Sequence, residues 1–229
     1  MIVDWCEPAV AAGVQLQIEQ DVFESMPGAV PRLRIWQPLP ALVVTTAETS
    51  HAAFGAAASR AAARGVPVAV RRSGGGAVCL GPGMLVVSHF HTSMHDDIDA
   101  SYRSFARRLM AAVQVVGVVL TEEHVARAYC DGKFDLAWCG LKVGGMAQRR
   151  RSRDGASHVW IHAVIAVEPE SLRYPEEVAQ FYSDSSMPRI ADPSRTTCLS
   201  LCMPSESRAP GLLRRCGDVI AGSFRAESS

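Results

Sequence analysis

From Val66 to Leu80 the chain reads as a strand, a run of three glycines and a second strand. The segments are Val66-Pro67-Val68-Ala69-Val70, Arg71-Arg72-Ser73-Gly74-Gly75-Gly76 and Ala77-Val78-Cys79-Leu80. This stretch constrains the fold more than any other. Gly74, Gly75 and Gly76 remove every Cβ from a turn, so backbone N–H groups can approach a ligand and point at its anionic or carbonyl oxygens. Arg71 and Arg72 are permanently charged forks suited to phosphate or carboxylate. In a nucleotide P-loop or a dinucleotide fingerprint the glycines open a helix, and the P-loop closes on Gly-Lys-Ser/Thr. Here they join two strands and that ending is missing, so both are excluded. A surface turn with no binding role is the plainer alternative at this point.

The site such a turn would build has to be local. The chain has 229 residues, 48% of them hydrophobic, and a formal net charge of zero. That length supports one large domain, expected to span 1–229. Neutral charge gives no global drive toward nucleic acid or an acidic membrane surface, and neither is expected as a partner. Of the 23 Lys and Arg residues only Lys133 and Lys142 are lysines, so each stands out. The cysteines (Cys6, Cys79, Cys130, Cys139, Cys198, Cys202, Cys216) are odd in number and irregularly spaced. With no leader pattern at the start and no apolar run of membrane-spanning length, they read as reduced thiols of a cytoplasmic protein.

In chain order, Val14 to Phe23 is mildly amphipathic and predicts a helix ended by Pro27-Gly28. Arg32–Trp36 and Leu42–Thr46 read as strands, joined as a hairpin across Pro38 and Pro40. Ala-rich Phe54–Arg64 predicts a helix with Gly65 at its end. Met84–Val87 continues the strands after the glycines, and Tyr102–Val116 has helical spacing. Thr121–His124 reads as a polar connection. Phe134–Trp138 and Lys142–Gln148 predict a second hairpin around Cys139-Gly140. Arg149 to Gly155 reads as a basic turn, a solvated loop rather than a contact for an acidic partner. Val159–Val167 is a buried strand, Pro175–Tyr182 a helix, Thr196–Leu201 the start of another element, and Leu212–Ile220 a last short helix. Roughly the final ten residues are expected to fray.

Three constellations could carry chemistry. His89 and His91 share a face if they lie on a strand, with His95, Asp96 and Asp97 following. No carboxylate or cysteine clearly completes a metal site, so a strand end is favoured over metal. Cys198 and Cys202 lack a second pair and read as buried thiols. The segment from Cys130 to His162 is the most informative. A thiolate accepts acyl groups, and a lysine in an apolar hairpin demands a ligand or a counter-charge. Cys130 and Lys142 together point to acyl transfer.

Three ordered stretches resemble the motifs of the lipoate/biotin protein ligase and octanoyltransferase superfamily: Arg71-Arg72-Ser73-Gly74-Gly75-Gly76-Ala77-Val78, Gly140-Leu141-Lys142-Val143-Gly144-Gly145-Met146-Ala147-Gln148-Arg149 and His162-Ala163-Val164-Ile165-Ala166-Val167. The resemblance runs from about Arg32 to Glu168 and includes Trp36-Gln37. It implies an α+β fold, a mixed β-sheet flanked by helices, with no separate C-terminal accessory domain. The glycine turn and the lysine hairpin would enclose a tunnel for a medium-chain acyl group. Lys142 matches the lysine that holds the acyl carbonyl or carboxylate oxygen, and the glycines match the loop over the acyl head. Arg71, Arg72, Ser73, Ala77, Gly144, Gly145, Ala147 and His162 fall on the substrate-binding motifs. Family members modify a lysine on lipoyl domains, those of glycine cleavage H protein and of the E2 subunit of 2-oxoacid dehydrogenases.

One transferase branch carries its cysteine just before the His strand, where this chain has Gly155-Ala156-Ser157-His158. The other carries it upstream of the lysine motif, where Cys130 stands. The resemblance therefore implies an acyl carrier protein as donor, a Cys130 thioester, and Lys142 with glycine-loop N–H groups at the oxyanion, with no cofactor. The alternatives are an ATP- and Mg-dependent lipoate-protein ligase working through an acyl-adenylate, biotin transfer, and a non-catalytic acyl-binding homologue. The chain departs from the family pattern at Leu80, Leu141 and Ala163.

Overall fold

The computed structural model describes residues 1–229 except 27–29, 95–96, 154, 209 and 227–229. In chain order the elements are β1 (Ile2–Val10), α1 (Ala12–Ser25), β2 (Arg32–Pro38), β3 (Ala41–Thr45), α2 (Thr46–Thr49), α3 (Phe54–Ala63), β4 (Val68–Arg71), β5 (Val78–Leu80), β6 (Met84–Ser93), α4 (Ile98–Val115), β7 (Thr121–Glu123), β8 (Asp135–Trp138), β9 (Leu141–Arg153), β10 (Ala156–Ala166), α5 (Tyr174–Ser185) and α6 (Leu212–Ala226).

Seven strands form one sheet in the order β1-β2-β6-β10-β9-β8-β7, and three form a second in the order β4-β3-β5. The long centre of the large sheet is β6, β10 and β9, paired antiparallel over most of their length. Alternation along β10 sends its side chains to two cores. Ile161, Ala163 and Ile165 pack with Phe105, Leu109, Ile220 and Phe224 of α4 and α6. Val164 faces the opposite way, into the core that contains Leu42, Val44, Val78, Val178 and Phe181 of the small sheet and α5. The large sheet is thus a wall between a helical layer and a sheet-plus-helix layer, and the site lies on the second side.

Several expectations change. Arg32–Trp36 and Leu42–Thr46 are strands, but they form no hairpin: β2 lies in the large sheet between β1 and β6, and β3 in the small one between β4 and β5. Pro38-Leu39-Pro40 looks like a turn because it punctuates two strands, and here it passes the chain from one sheet to the other. β1 was not expected; it pairs parallel with β2, and α1 supplies the crossover such pairing requires. The predicted stop of α1 at Pro27-Gly28 lies outside the described residues. Thr121–Glu123 is a strand paired with β8 rather than a bare connection.

The basic run is mostly strand as well. Arg149–Arg153 continue β9 opposite Ala156–Trp160, and Arg149 and Arg151 both reach Glu24 of α1. The last helix extends to Ala226, with Phe224 fully buried, because Phe224 packs edge-on against Phe105 and under the Arg108 guanidinium. Only 227–229 of the expected fraying tail fall outside the described residues.

Candidate active site

Lys142 is reached through the β8–β9 hairpin. Cys139 and Gly140 turn the chain with φ of 49° and 75°, and the register sets Ala137 opposite Lys142. The side chain is fully buried. Its Nζ lies 2.8 Å from Asp135 Oδ1 and donates to the carbonyl oxygens of Tyr129 (3.0 Å) and Cys130 (2.8 Å). An ammonium has three donors and no acceptor, so all three are engaged. Asp135 Oδ2 accepts the N–H groups of Gly132 (3.1 Å) and Val125 (3.4 Å). Burial pushes the Asp135 carboxyl above its ordinary range, and Lys142 pulls against that shift. The neighbouring glycines are needed for close packing. A Cβ on Gly145 would stand 2.8 Å from Lys142 Nζ, and one on Gly144 2.8 Å from the Val164 carbonyl oxygen.

Cys130 lies where the loop held by Lys142 meets the glycine turn. Its φ is 43°, in the left-handed region that costs a non-glycine residue roughly 1–2 kcal/mol. The bond from Lys142 to its carbonyl helps to hold that conformation. The Gly76 N–H donates to Cys130 Sγ at 3.1 Å, and Arg71 Nη2 lies 3.6 Å from the same sulfur. Arg71 also donates to the Gly76 carbonyl oxygen (2.8 Å) and to Ser73 Oγ (3.1 Å). One guanidinium therefore fixes the shape of the turn and faces the thiol.

The far end of the turn is tied down separately. Ala77 N–H donates to both Glu48 Oε1 (3.0 Å) and Tyr182 Oη (2.7 Å), and Tyr182 O–H donates to Glu48 Oε1 (2.7 Å). Glu48 also closes a capping box with Thr45 at the start of α2.

Gly75 has φ of 106°, and a Cβ there would lie 2.8 Å from Arg71 Nη2 and 2.9 Å from Cys130 Sγ. Gly74 has open space at the same position. Gly75→Ala is accordingly expected to cost about 1–2 kcal/mol of stability. Displacing the thiol from its donors should also lower transfer activity on the order of 10²-fold. Gly74→Ala should leave activity within about twofold, and initial rates with both variants at one acceptor concentration check the contrast.

Arg71, Val78, Tyr129, Lys142, Met146, Ala147, His162 and Val164 line a cavity together with Cys130. It lies between β9 and β10 on one side and β4 and β5 on the other. Its lining is mainly apolar, with Arg71 and Lys142 as its charged members. The cavity volume is about 30 Å³, room for little more than one or two water molecules. The expected tunnel for a medium-chain acyl group would need lining side chains to move; Met146 pairs with Ala163 and packs on the helical side of the sheet. His162 Nε2 is 2.8 Å from Ser73 Oγ, and burial with the nearby Arg71 charge pushes its pKa down to about 3. It is a neutral imidazole that ties β10 to the glycine turn.

Sequence comparison matches residues 11–206 to the family described as "Lipoyl protein ligase A/B catalytic domain". The chain belongs to that family. An uncharacterised protein of Cupriavidus necator is 30% identical over 191 residues, covering 77% of this chain and 76% of its own. The lipoyl-[GcvH]:protein N-lipoyltransferase of Listeria monocytogenes is 24% identical over 72% of this chain and 64% of its own length. The octanoyl-[GcvH]:protein N-octanoyltransferase of Macrococcus caseolyticus is 29% identical over 52% of this chain and 42% of its own. The chain therefore spans only about half the length of these transferases.

Among solved structures, lipoate-protein ligase A bound with ATP aligns at TM-score 0.74 and 15% identity over 98% of this chain and 84% of that one. The bipartite lipoate protein ligase of Thermoplasma acidophilum, studied with its E2 lipoyl domain, aligns at TM-score 0.70 and 16% identity, over 98% and 82%. At such identities the likeness shows the fold, a mixed sheet flanked by helices as the motifs implied.

The family motifs converge unevenly in this chain. Arg71, Ser73, Gly76, Ala77, Cys130, Lys142, Gly144, Gly145, Ala147 and His162 gather around the cavity or brace its walls; Arg72, Gly74 and Gly75 are exposed, and of these glycines Gly75 lies against Arg71 and Cys130 while Gly74 has open space. Asp135, Glu48, Tyr129 and Tyr182 complete the site without having been singled out in the sequence. Asp135 had a signal, the counter-charge that a buried Lys142 requires.

The histidine pair lies elsewhere. The rings of His89 and His91 do stack, at 4.7 Å, but burial keeps both neutral, with His91 pushed down to about 4. Asp97 is engaged in capping α4, and His95 and Asp96 lie outside the described residues. Among the described residues no group of three or more His, Cys, Asp or Glu could hold a metal. No helix there is long and apolar enough to cross a membrane.

Proposed function

We infer that this protein transfers an octanoyl or lipoyl group to a lysine of a lipoyl domain through a thioester on Cys130. The observation that carries this reading is the position of Cys130 Sγ. Cys130 lines the mainly apolar cavity, and the Gly76 N–H and the Arg71 guanidinium are directed at its sulfur. In the first step the thiolate attacks the acyl carbonyl of the donor. The new C–S bond forms, the donor's own bond to that carbonyl, C–S in a carrier protein or C–N in an H protein, breaks, its leaving group takes up the proton the Cys130 thiol gave up, and the alkyl chain enters the cavity. In the second step the acceptor lysine amine attacks the thioester carbonyl. The C–N bond forms, the C–S bond breaks, the thiolate returns, and the amine's proton passes to solvent on the half-exposed side of Cys130.

Lys142 acts in this scheme first as a positioning residue, through the carbonyls of Tyr129 and Cys130. An acyl oxygen reaches its ammonium only by displacing one of the three present acceptors.

The donor has two candidates. Acyl carrier protein follows from the thioester chemistry. An octanoylated or lipoylated H protein is favoured by the likeness to the Macrococcus octanoyl-[GcvH] and Listeria lipoyl-[GcvH] transferases. An ATP-dependent ligase is the third reading, and Arg71, which has no carboxylate partner among the described residues, would suit a phosphate. The carboxylates nearby suit magnesium less well, because Asp135 is held by Lys142 and two N–H groups, and Asp131 accepts the Arg127 N–H.

Intact-mass measurement after incubation with octanoyl carrier protein, or with octanoylated H protein, tests the proposal. One octanoyl adduct is expected, discharged by an apo lipoyl domain and absent from Cys130→Ala. Transfer that survives Cys130→Ala, or that requires ATP with free lipoate, would sink the thioester.

A further inference from the structure

A second cavity, about 300 Å³, opens on the outer side of the same thiol, lined by Arg127, Asp131, Tyr182, Pro188, Arg189 and Ile190 together with Cys130. Cys130 is the residue it shares with the inner cavity. The arginines here differ from others on the surface. Arg60 and Arg64 pair with Asp184 and Glu177, and Arg149 and Arg151 with Glu24. Arg127 and Arg189, both exposed, make no side-chain ion pair among the described residues. The one acid in the lining, Asp131, already accepts the Arg127 N–H at 3.2 Å and sits 3.5 Å from His124 Nε2.

Both cations line this outer cavity. Arg127 has a φ of 68°, and its carbonyl accepts the Asp192 N–H at 2.8 Å. The Arg189 guanidinium lies so near Gly76 that a Cβ there would stand 2.6 Å from its Nη1. The protein as a whole is neutral, so this pair of arginines is a local feature; beside it Asp192 has a carboxyl held below its ordinary range by the Ser194 side chain and by the Arg127 charge. The cavity is rimmed by Ile190, an apolar side chain left 62% exposed.

Resting on the transferase reading, we propose that this outer cavity is the docking site of the acceptor. Arg127 and Arg189 receive carboxylates of a lipoyl domain that flank its target lysine. The chemistry of reach selects this occupant. An acyl chain occupying the inner cavity leaves the outer one for the incoming amine. A lysine amine ends a short stem, so its attack at Cys130 brings the residues beside it within a side chain's length of the outer rim. The phosphodiester of a pantetheine-type arm lies many more bonds from its thioester and falls outside. Exposed charge pairs of this kind act mainly on encounter and orientation.

The test measures binding and chemistry separately, with the intact protein, the Cys130→Ala variant and an apo lipoyl domain. Calorimetry should show the Arg127→Gln/Arg189→Gln double variant binding the domain about tenfold more weakly, with the difference shrinking as salt is raised. Neutralising the acidic residues beside the domain's lysine should reproduce the loss, and combining both changes should add little. Acyl-enzyme formation from octanoyl carrier protein and its discharge by hydroxylamine should stay at the wild-type rate, whereas formation from octanoylated H protein, itself a lipoyl domain, should slow with the loss of docking.

Unchanged domain affinity in the double variant overturns the proposal, as does an equal loss of domain and hydroxylamine discharge. Weakened ATP binding with unaltered domain binding overturns it in favour of a nucleotide site. If neither donor acylates the wild type while the double variant still loses the domain, the thioester reading fails and the docking site stands.

Discussion

Lys142→Met is expected to destabilise the fold by about 3–5 kcal/mol and to remove nearly all transfer activity. The first effect follows from burial. Lys142 and Asp135 are both buried within a 2.8 Å ion pair, and removing one partner leaves the other as an uncompensated charge. The second follows from position. The ammonium holds the carbonyls of Tyr129 and Cys130, and without it the strained Cys130 backbone can relax. A displacement of about 1 Å at a reacting atom costs on the order of 10²-fold in rate.

Two further measurements separate these effects. Lys142→Met combined with Asp135→Asn keeps acceptor and donor groups for the local backbone while removing both charges, so it should recover most of the stability and none of the activity. In the single variant Asp135 loses the charge that opposed its upward shift. Its raised folded value means that the deficit should be smallest at acid pH, where the carboxyl is protonated in both states, and should grow as pH rises through the folded value. Chemical denaturation just below pH 3.8, the ordinary value of the carboxyl, and at pH 8 checks the sign. A deficit that is the same at both would show that Asp135 finds another counter-charge.

The parts of this fold carried by short-range pattern were legible in the sequence. Gly74–Gly76 between two apolar stretches, the Ala-rich α3 with Gly65 beyond it, and the β8–β9 hairpin around Cys139-Gly140 each report themselves through residue conformation. What depends on partners distant in the chain did not. β2 and β3 are adjacent in sequence but pair with different sheets, and no local feature of Pro38-Leu39-Pro40 distinguishes a sheet change from a hairpin. Arg149–Arg153 look like a solvated turn until α1 sets Glu24 against them.

The candidate site divides the same way. Cys130, Lys142 and the glycines were visible because their residue types are unusual in their settings. Glu48 and Tyr182 were invisible because an acid in a short helix and a tyrosine in a long one are ordinary until the fold brings both to the Ala77 N–H. Asp135 lies between these cases: the buried lysine required an acid, but its position depended on the loop between β7 and β8.

Glu19→Gln is expected to raise stability above pH 7 by up to about 3 kcal/mol while leaving it nearly unchanged at acid pH. Glu19 sits on α1 with no exposed surface and accepts the Trp36 Nε1–H at 2.9 Å. Burial pushes its pKa from 4.5 up to about 7, against the opposing pull of Ser88, Trp36 and Arg34. A carboxyl raised on folding binds its proton more tightly in the native state. Its contribution is therefore complete below about 4.5, falls between 4.5 and 7, and is lost above about 7. Glutamine keeps a carbonyl acceptor for Trp36 and a shape close to the protonated acid, without the charge that must be buried at high pH. For a chain of this length 3 kcal/mol corresponds to roughly 6–12 °C in Tm. Melting curves of both proteins from pH 5 to pH 9 should converge at the acid end and separate through neutrality. Parallel curves would show that Glu19 remains ionised in the folded protein, with Arg34 supplying the compensation that burial otherwise denies it.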